Sequence, residues 1–218
     1  MSKLFLSGLV AFVVPVAAAQ AQDMSISLGA TVTSEYISNG IRYSDGMALQ
    51  PYVELGFGGI FAGAYASNVD ADLTGADIEY GLSLGYRGEV DTFSYDIGLS
   101  YYIFEEAFSD FPVEASGEAS ASGTLAVSDT FYATAKAVIT PEYDQAKLSL
   151  RGDYYNAIKG LSAGAIVGRV ESNCGDWDYW SVDVAYSVSE QVSLGLAYHD
   201  TNLDPDLGLA DTDGLFVA

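Results

Sequence analysis

The sequence predicts an all-β protein, a closed transmembrane up-and-down antiparallel β-barrel of about twelve strands. Three observations support this prediction. Apolar and polar residues alternate with a period of two along most of the chain. Short and long connections follow one another in turn. The polar face of the strands is made mainly of Ser, Gly and Thr, which suits a crowded interior better than a solvated surface.

The alternation is clearest over residues 76–87, where even positions are apolar and odd positions are polar or Gly, and again over 92–103. A helix cannot use this period, whereas a two-faced strand requires it. Similar patterns lie near 25–36, 49–57, 113–125, 131–138, 146–154, 180–187 and 191–198. Weaker ones lie near 59–67 and 161–170, with a stub near 213–218. No helix is predicted.

The predicted connections fall into two classes. Short turns lie near 58, 88–90, 127–129, 156–160 and 187–190. The longer ones are polar and rich in Asp: SNGIRYSDG, NVDADLTG, EEAFSDF, TPEYD, ESNCGD and HDTNLDPDLGLADTD. Outer-membrane barrels have short periplasmic turns and longer outer loops. We therefore expect the long class outside the cell, and the stretch from Thr33 to Tyr52, with SNGIRYSDG at its centre, to contain outer loop one.

Aromatic residues on the apolar face gather near the strand ends, as the two membrane interfaces favour. Those near the short turns are Tyr86, Phe93, Phe131, Tyr154 and Tyr186, and those near the long loops are Tyr36, Tyr101, Trp180 and Tyr198. A soluble barrel would instead carry Lys and Glu on its outer face. Because backbone groups in lipid must all be paired, the sheet is expected to close.

The N-terminus predicts export. Lys3 precedes the apolar run LFLSGLVAFVVPVAAA and an A-x-A site ending at Ala21, which together indicate a secretory signal peptide over residues 1–21. Residues 22–218 then form one barrel domain in the outer membrane of a Gram-negative cell. The expected partners are outer-membrane lipid and lipopolysaccharide, the barrel-insertion machinery, and small hydrophilic solutes or cations.

Charge and cysteine content narrow the function classes. The formal net charge of -22, from 8 basic and 30 acidic residues, excludes a nucleic-acid partner. Cys174 is the single cysteine, so the chain has no internal disulfide. Cys174 lies in the long-loop class and is expected outside the cell.

The motif S-x-Y-x-x-x-G-x-x-x-S-D-G-x-A-L-Q resembles the signature of the TorF family of porin-like bacterial proteins. Its residues here are Ser34, Tyr36, Gly40, Arg42, Ser44, Asp45, Gly46 and Gln50. Segments 59–70, 77–88 and 176–201 are similar to successive blocks of that family, in the same order. The resemblance implies an outer-membrane barrel and leaves the transported solute open.

The chain departs from the family at three places. Asn39 stands where the family has Arg, and Met47 where it has Pro. The family's last strand ends in an aromatic residue, which the insertion machinery reads, whereas Phe216 is third from the end here. Either the C-terminal strand is truncated or insertion is impaired, and we expect truncation.

Strand parity predicts a charged interior. The candidate pore-lining residues are Glu54, Asp77, Glu79, Arg87, Asp96, Glu114, Glu118, Lys136, Lys147, Arg151, Asp153 and Asp183. Eight acids against four bases predict that a conducting pore prefers cations. Asp77, Glu79 and Asp96 are expected to form one acidic patch. The alternative is that these charges pair across a closed interior.

Loop one allows two interpretations. Arg42 could fold inward with the loop and pair with an inward carboxylate, which would narrow the pore. The motif could instead only fix the turn and seal the rim.

The remaining motifs predict no enzyme and no cofactor. GLSAG at 160–164 fits G-x-S-x-G, with Asp183 and His199 following, but no helix follows to form a nucleophile elbow. His199 is the single histidine, so a zinc site with two or more histidines is excluded. Weak Ca²⁺ ligands are available in the last long loop at Asp204, Asp206, Asp211 and Asp213, without EF-hand spacing.

Two functions are compatible with these features. The first is a porin-like outer-membrane channel for passive diffusion of small hydrophilic solutes, preferring cations. The alternative is a non-conducting structural or adhesive barrel whose acidic surface loops bind divalent cations.

Overall fold

The chain is all-β. A computed structural model describes residues 11–15, 24–105, 114–155, 158–204 and 214–217. The strands are β1 (Ala11–Pro15), β2 (Met24–Thr33), β3 (Ile37–Ser38), β4 (Ile41–Arg42), β5 (Ala48–Phe57), β6 (Ile60–Asn68), β7 (Ile78–Val90), β8 (Phe93–Glu105), β9 (Glu114–Ala126), β10 (Phe131–Thr140), β11 (Gln145–Tyr155), β12 (Leu161–Glu171), β13 (Trp177–Ser187), β14 (Val192–Thr201) and β15 (Gly214–Val217). Two short helical turns, α1 (Ala71–Thr74) and a 3-10 turn (Pro141–Tyr143), lie in connections.

The strands form one antiparallel meander. Within the described ranges, 13 strands make a single sheet in which each pairs with the next along the chain, apart from the separate hairpin β3–β4. Strands β2 and β5–β15 agree closely with the predicted alternating segments. Strand β1 lies in the predicted signal peptide and pairs with β2. The predicted up-and-down topology is confirmed.

The predicted closure is not shown. Strand β14 pairs with β15 from Leu196 to His199 and with β1 only at Val192 and Ser193. In the described residues β15 pairs with neither β1 nor β2. Instead, β1 and β15 pair with different parts of the same edge of β14. The sheet is nevertheless rolled, since residues from β6 to β13 line one cavity on its inner face.

The two faces of the sheet differ in the way expected for a membrane barrel. Large apolar residues of the outer face are exposed: Leu84 by 56%, Leu99 by 62%, Leu148 by 59% and Val167 by 57%. Their sequence neighbours on the inner face are mostly Gly and Ser. A soluble barrel has the opposite arrangement, because its apolar face is buried.

The aromatic belts are found with one exception. Tyr86, Phe93, Phe131, Tyr154 and Tyr186 are exposed near the short turns, as Tyr101 and Trp180 are near the other rim. Tyr36 was wrongly predicted to belong to the outer belt. It lies inside, because loop one turns inward and its ring stacks on Tyr43, with centroids 4.9 Å apart.

Connection lengths alternate in the first half of the sheet only. Connections 58–59 and 91–92 are short, and 34–47 and 69–77 are long. Further on, the connections 141–144 and 172–176 have four and five residues, the same lengths as 127–130 and 156–160. Among the described residues, no helix is long and apolar enough to cross a membrane.

Glycines of the inner face provide space for large side chains of the neighbouring strand. The ring of Tyr65 lies over Gly81, Phe61 over Gly85, and Tyr179 over Gly168, so that a Cβ at each glycine would overlap the ring. Gly164 lies beneath an ion pair between Arg151 and Asp183, which spans the intervening strand β12. These side chains therefore lie flat against the wall and do not fill the interior.

We expect Gly164→Val to destabilise the fold by about 1–3 kcal/mol, because its branched side chain would displace the guanidinium of Arg151. The control is Ala165→Val, on the exposed outer face next to it, which should change stability by less than about 0.5 kcal/mol. Urea unfolding of the detergent-folded protein measures both. An equal loss of stability in the two variants would mean that the space above Gly164 does not restrict the size of the side chain at that position.

Candidate functional site

Loop one, residues 34–47, folds back as a small hairpin. Its strands β3 and β4 pair Ile37 with Arg42 and Ser38 with Ile41. Asn39 and Gly40 connect them, both with positive φ, 51° and 80°. Asn-Gly is the preferred pair for such a two-residue turn, because both residues tolerate the left-handed conformation. The sequence therefore specifies this hairpin locally.

The tip of the hairpin is fixed to the far wall. The indole Nε1 of Trp177 donates to the Asn39 carbonyl at 2.8 Å, and the Tyr179 hydroxyl donates to Asn39 Oδ1 at 3.0 Å. A Cβ at Gly40 would lie 2.7 Å from Tyr179 Cβ and 2.9 Å from Thr201 Oγ1. Only glycine fits this contact, so the tip packs tightly against β13 and β14.

The base of the hairpin is held by hydroxyl groups and rings. Ser44 Oγ accepts from the Tyr36 amide and donates to the Gly46 carbonyl, both at 2.8 Å. The ring of Tyr43 also faces Phe104 of β8, with centroids 6.3 Å apart. The hydroxyls of Tyr36 and Tyr65 lie 3.3 Å apart. Loop one therefore runs from β6 and β8 across to β13.

Arg42 pairs within the loop. Its Nη1 lies 3.7 Å from Glu35 Oε2 and 3.4 Å from Asp45 Oδ1. Of the two interpretations of loop one, the loop does turn inward, but Arg42 pairs with Glu35 and Asp45 of the loop itself and not with an inward carboxylate of the wall. Burial raises the pKa of Glu35, and the positive charge of Arg42 opposes that rise. Burial likewise raises the pKa of Tyr36 well above its usual value.

The inner face encloses a cavity of about 550 Å³ beside loop one, which we call the outer cavity. Tyr36, Asn39 and Tyr43 of loop one line one side, and exposed Cys174 lies at its margin. The wall contributes aromatic and charged side chains: Tyr65, Glu79, Tyr102, Phe104, Glu118, Lys136, Lys147, Trp177 and Tyr179. Its surface is thus both aromatic and charged.

Two of the four charged residues that line the outer cavity compensate each other. Lys147 Nζ lies 2.6 Å from Glu118 Oε1, which also accepts from Thr140 at 3.1 Å. Glu79 is only 3% exposed, and its Oε2 has no hydrogen-bond partner among the described residues. Lys136 is exposed to the cavity and forms no ion pair within the described part of the chain.

A second cavity of about 280 Å³, the inner cavity, lies nearer the short turns. Lys136 lines it as well, with Ser83, Ser100, Ser120 and Ser122. Its remaining charged residues, Arg87 and Asp96, are paired at 3.4 Å. The two cavities thus meet at Lys136.

The other inward charges form ion pairs between strands. Arg87 binds Glu54 through two hydrogen bonds of 2.8 and 2.9 Å and lies 4.1 Å from the centre of the Phe61 ring. Arg151 contacts Asp153 at 2.7 Å and Asp183 at 2.9 Å. Each arginine thus forms ion pairs with two carboxylates, so most of the charge on the inner face is locally compensated.

The predicted acidic patch of Asp77, Glu79 and Asp96 is wrong. Glu79 pairs in register with Phe104, eight residues along β8 from Asp96, which is about 27 Å on a regular strand. Asp77 lies before the start of β7, at the long-loop rim. The side chain of Glu114 lies outside the described residues. The alternation of residues along a strand predicts which face of the sheet a side chain lies on. It does not predict how far along the barrel axis the side chain lies.

The remaining motif positions occupy the rim. Ser34 lies in loop one, and Gln50 of β5 donates from Nε2 to Ser67 Oγ at 3.3 Å. Of the four proposed Ca²⁺ ligands, Asp204 is described, while Asp206, Asp211 and Asp213 lie outside the described residues. No group of three or more metal-ligating residues is present in the described part of the chain.

The G-x-S-x-G segment is part of strand β12 and forms no elbow. Ser162 Oγ donates to the Ala185 carbonyl at 3.5 Å. Asp183 is held by Arg151, and His199 pairs in register with Ser181. Ser162 aligns through Ala185 with Gly195, four residues along β14 from His199, so the serine and the histidine are not placed as a nucleophile and its base.

Sequence reasoning missed the aromatic residues that hold loop one, Trp177 and Tyr179, and those that line the outer cavity, Tyr65, Tyr102 and Phe104. Their signal is present in the sequence. Tyr65, Tyr102 and Tyr179 interrupt a Gly- and Ser-rich face, where a large ring needs a partner.

We expect the double variant Trp177→Phe/Tyr179→Phe to free the tip of loop one, because both hydrogen bonds to Asn39 are lost. Each bond contributes about 1 kcal/mol, so amide hydrogen exchange over residues 37–42 should accelerate about tenfold or more. Tyr154→Phe, on the outer face, is the control and should leave this exchange unchanged. Unchanged exchange in the double variant would contradict the anchoring.

Comparisons with solved structures found weak similarities, among them the outer membrane protein OprD and the protein OccAB3. OprD of Pseudomonas aeruginosa is 10% identical with a TM-score of 0.49, over 92% of this chain and 65% of that one. OccAB3 of Acinetobacter baumannii is 10% identical with a TM-score of 0.44, over 95% and 65%. This chain therefore spans less than two thirds of either protein. The architecture described above is derived from the strand pairing of this chain and not from these similarities.

A comparison with curated proteins found no significant match. A family model described as "Bacterial protein of unknown function (Gcw_chp)" matches residues 17–213, which is most of the chain. The family that matches is therefore Gcw_chp, whereas the sequence motif was identified by its resemblance to the TorF family. The chain belongs to the Gcw_chp family of bacterial proteins of unknown function.

Proposed function

We propose that this protein is an outer-membrane channel for passive diffusion of small hydrophilic solutes, and not an enzyme. The observation that carries the proposal is the contrast between the two faces of the sheet. Its inner face surrounds two polar and charged cavities, and its outer face exposes a continuous set of aliphatic residues. Strands exposed to lipid on one side and water on the other require this arrangement.

The limits of the apolar outer face support a membrane location. At the long-loop rim, Arg169 forms ion pairs with Glu171, Asp176 and Asp178 at 3.0–3.1 Å. Arg169 and Asp178 are register partners, two residues beyond the pair Val167 and Trp180. The apolar band thus ends abruptly at a tryptophan and a charged cluster, as expected where hydrocarbon gives way to headgroups.

The proposed path passes through both cavities. A solute enters beside loop one, crosses the outer cavity, passes Lys136 and reaches the inner cavity near Arg87 and Asp96. Loop one occupies part of the entrance and is the narrowing element. In the membrane-inserted protein the sheet is proposed to close into a barrel of about twelve strands, since lipid leaves no edge unpaired.

The described inner-face charges favour cations weakly. Six carboxylates face four bases: Glu54, Glu79, Asp96, Glu118, Asp153 and Asp183 against Arg87, Lys136, Lys147 and Arg151. Because most are paired at short range, the excess negative charge gives a preference for cations and not exclusion of anions. The proposal includes export by the signal peptide, membrane insertion by the barrel-insertion machinery and lipopolysaccharide around the outer rim.

We expect chemical modification of Cys174 to reduce single-channel conductance in planar bilayers, because this exposed thiol borders the outer cavity. The reagent is a charged, membrane-impermeant methanethiosulfonate, added to one side at a time. It should act from the long-loop side, and reduction of the mixed disulfide should restore the current.

The control for this experiment is Cys174→Ser, which should be insensitive to the reagent. A native protein that inserts but carries no current would contradict the channel. A current that is unchanged by confirmed modification would show that the path avoids the outer cavity.

A further inference from the structure

We infer that the outer cavity binds an elongated zwitterion, with an ammonium group at Glu79 and a carboxylate at Lys136. The inference deepens the proposed channel function and rests on it for its biological meaning, because it names the class of solute that the cavity recognises. It depends on two uncompensated charges of opposite sign that line one cavity.

The first charge is the Glu79 carboxylate. The residue is 3% exposed, and the hydroxyls of Tyr36 and Tyr65 interact with its carboxyl group. Its Oε2 has no hydrogen-bond partner among the described residues, although such buried atoms are normally satisfied. The residue lines the outer cavity together with Tyr43 and Tyr102. An ammonium group would supply the missing donor, and the rings favour a cation beside them.

The second charge is the Lys136 ammonium. It is exposed at the junction of the two cavities, and no carboxylate in the described ranges pairs with it. The other inward bases, Arg87, Lys147 and Arg151, are all in ion pairs. A solute carboxylate would therefore find at Lys136 the inner-face base that is not already paired among the described residues.

Together the two groups favour a ligand with both charges over a simple ion. The Glu118–Lys147 pair is neutral, so the four charged residues of the outer cavity sum to zero. A cation alone makes a favourable contact only at Glu79, and an anion alone only at Lys136. A molecule with both charges gains at both ends.

The spacing of the two residues indicates an elongated ligand. Glu79 aligns through Phe104 with Glu114 on β9, and Lys136 aligns with Ser122 on the same strand. Those positions are eight residues apart, about 27 Å along a regular strand before the two side chains reach into the cavity. The extended side chains of Glu79 and Lys136 shorten that gap by about 10 Å, so the charges of the ligand must lie about 17 Å apart, the length of an extended five-residue peptide, and a single amino acid is too short.

The test is calorimetric titration of the folded protein in detergent with three probes of equal chain length. They are pentaglycine, N-acetyl-pentaglycine and pentaglycine amide, which carry both charges, the negative charge alone and the positive charge alone. We expect pentaglycine to bind about tenfold or more tightly than either of the others, since each end adds a charge-assisted hydrogen bond. Glycine, with both charges close together, should bind no better than N-acetyl-pentaglycine.

Two variants assign the ends. Glu79→Gln should reduce pentaglycine binding to the level of N-acetyl-pentaglycine, and Lys136→Met should reduce it to the level of pentaglycine amide. The matched controls are Glu89→Gln and Lys159→Met, at the short-turn rim, which should retain the native preference.

Equal binding of the three probes, or a preference that survives in Glu79→Gln and Lys136→Met, would overturn the inference. The proposed function is tested separately by conductance of the same preparations. A conducting protein without the preference would refute the zwitterion site alone, and selective binding without conductance would refute the channel alone.

Discussion

The space above the inner-face glycines is the constraint on which the rest of the structure depends. Beneath several of the large side chains that project inward, the neighbouring strand presents a glycine, as with Phe61 over Gly85 and Tyr65 over Gly81. The Arg151–Asp183 pair crosses Gly164 in the same way. Without the space above these glycines, the aromatic and charged side chains would project towards the barrel axis and fill the interior. The high glycine content of the chain is therefore a condition for its cavities.

Loop one depends on the same constraint. Tyr179 lies flat over Gly168, and in that position its hydroxyl reaches Asn39 at the tip of the hairpin. Trp177, two residues away on the same face, donates to the Asn39 carbonyl. The local preference of Asn-Gly for a tight turn provides the hairpin, and the wall determines where it rests. A loop that could have covered the rim is instead fixed across the entrance, and it forms one side of the outer cavity.

Much of the fold could be predicted from the sequence because period-two alternation is a local signal. It located the strands and the inner or outer face of residues such as Leu84 and Arg87. It could not give the height of a residue along the barrel, so Asp96 was wrongly grouped with Glu79. Nor could it predict long-range contacts such as Trp177 with Asn39, because nothing local to either residue specifies the other. The pairing of Arg42 with Glu35 and Asp45 follows from a hairpin whose geometry the motif only implied.

The central claim is that the glycine-backed walls leave an open path and that loop one is what narrows it. Single-channel conductance of Trp177→Phe/Tyr179→Phe, compared with the native protein in planar bilayers, tests this claim most directly. The variant retains the wall and removes the two hydrogen bonds that hold the loop tip. The account predicts a larger conductance with the same strand content. An equal conductance, in a variant whose loop is shown by hydrogen exchange to be released, would contradict it.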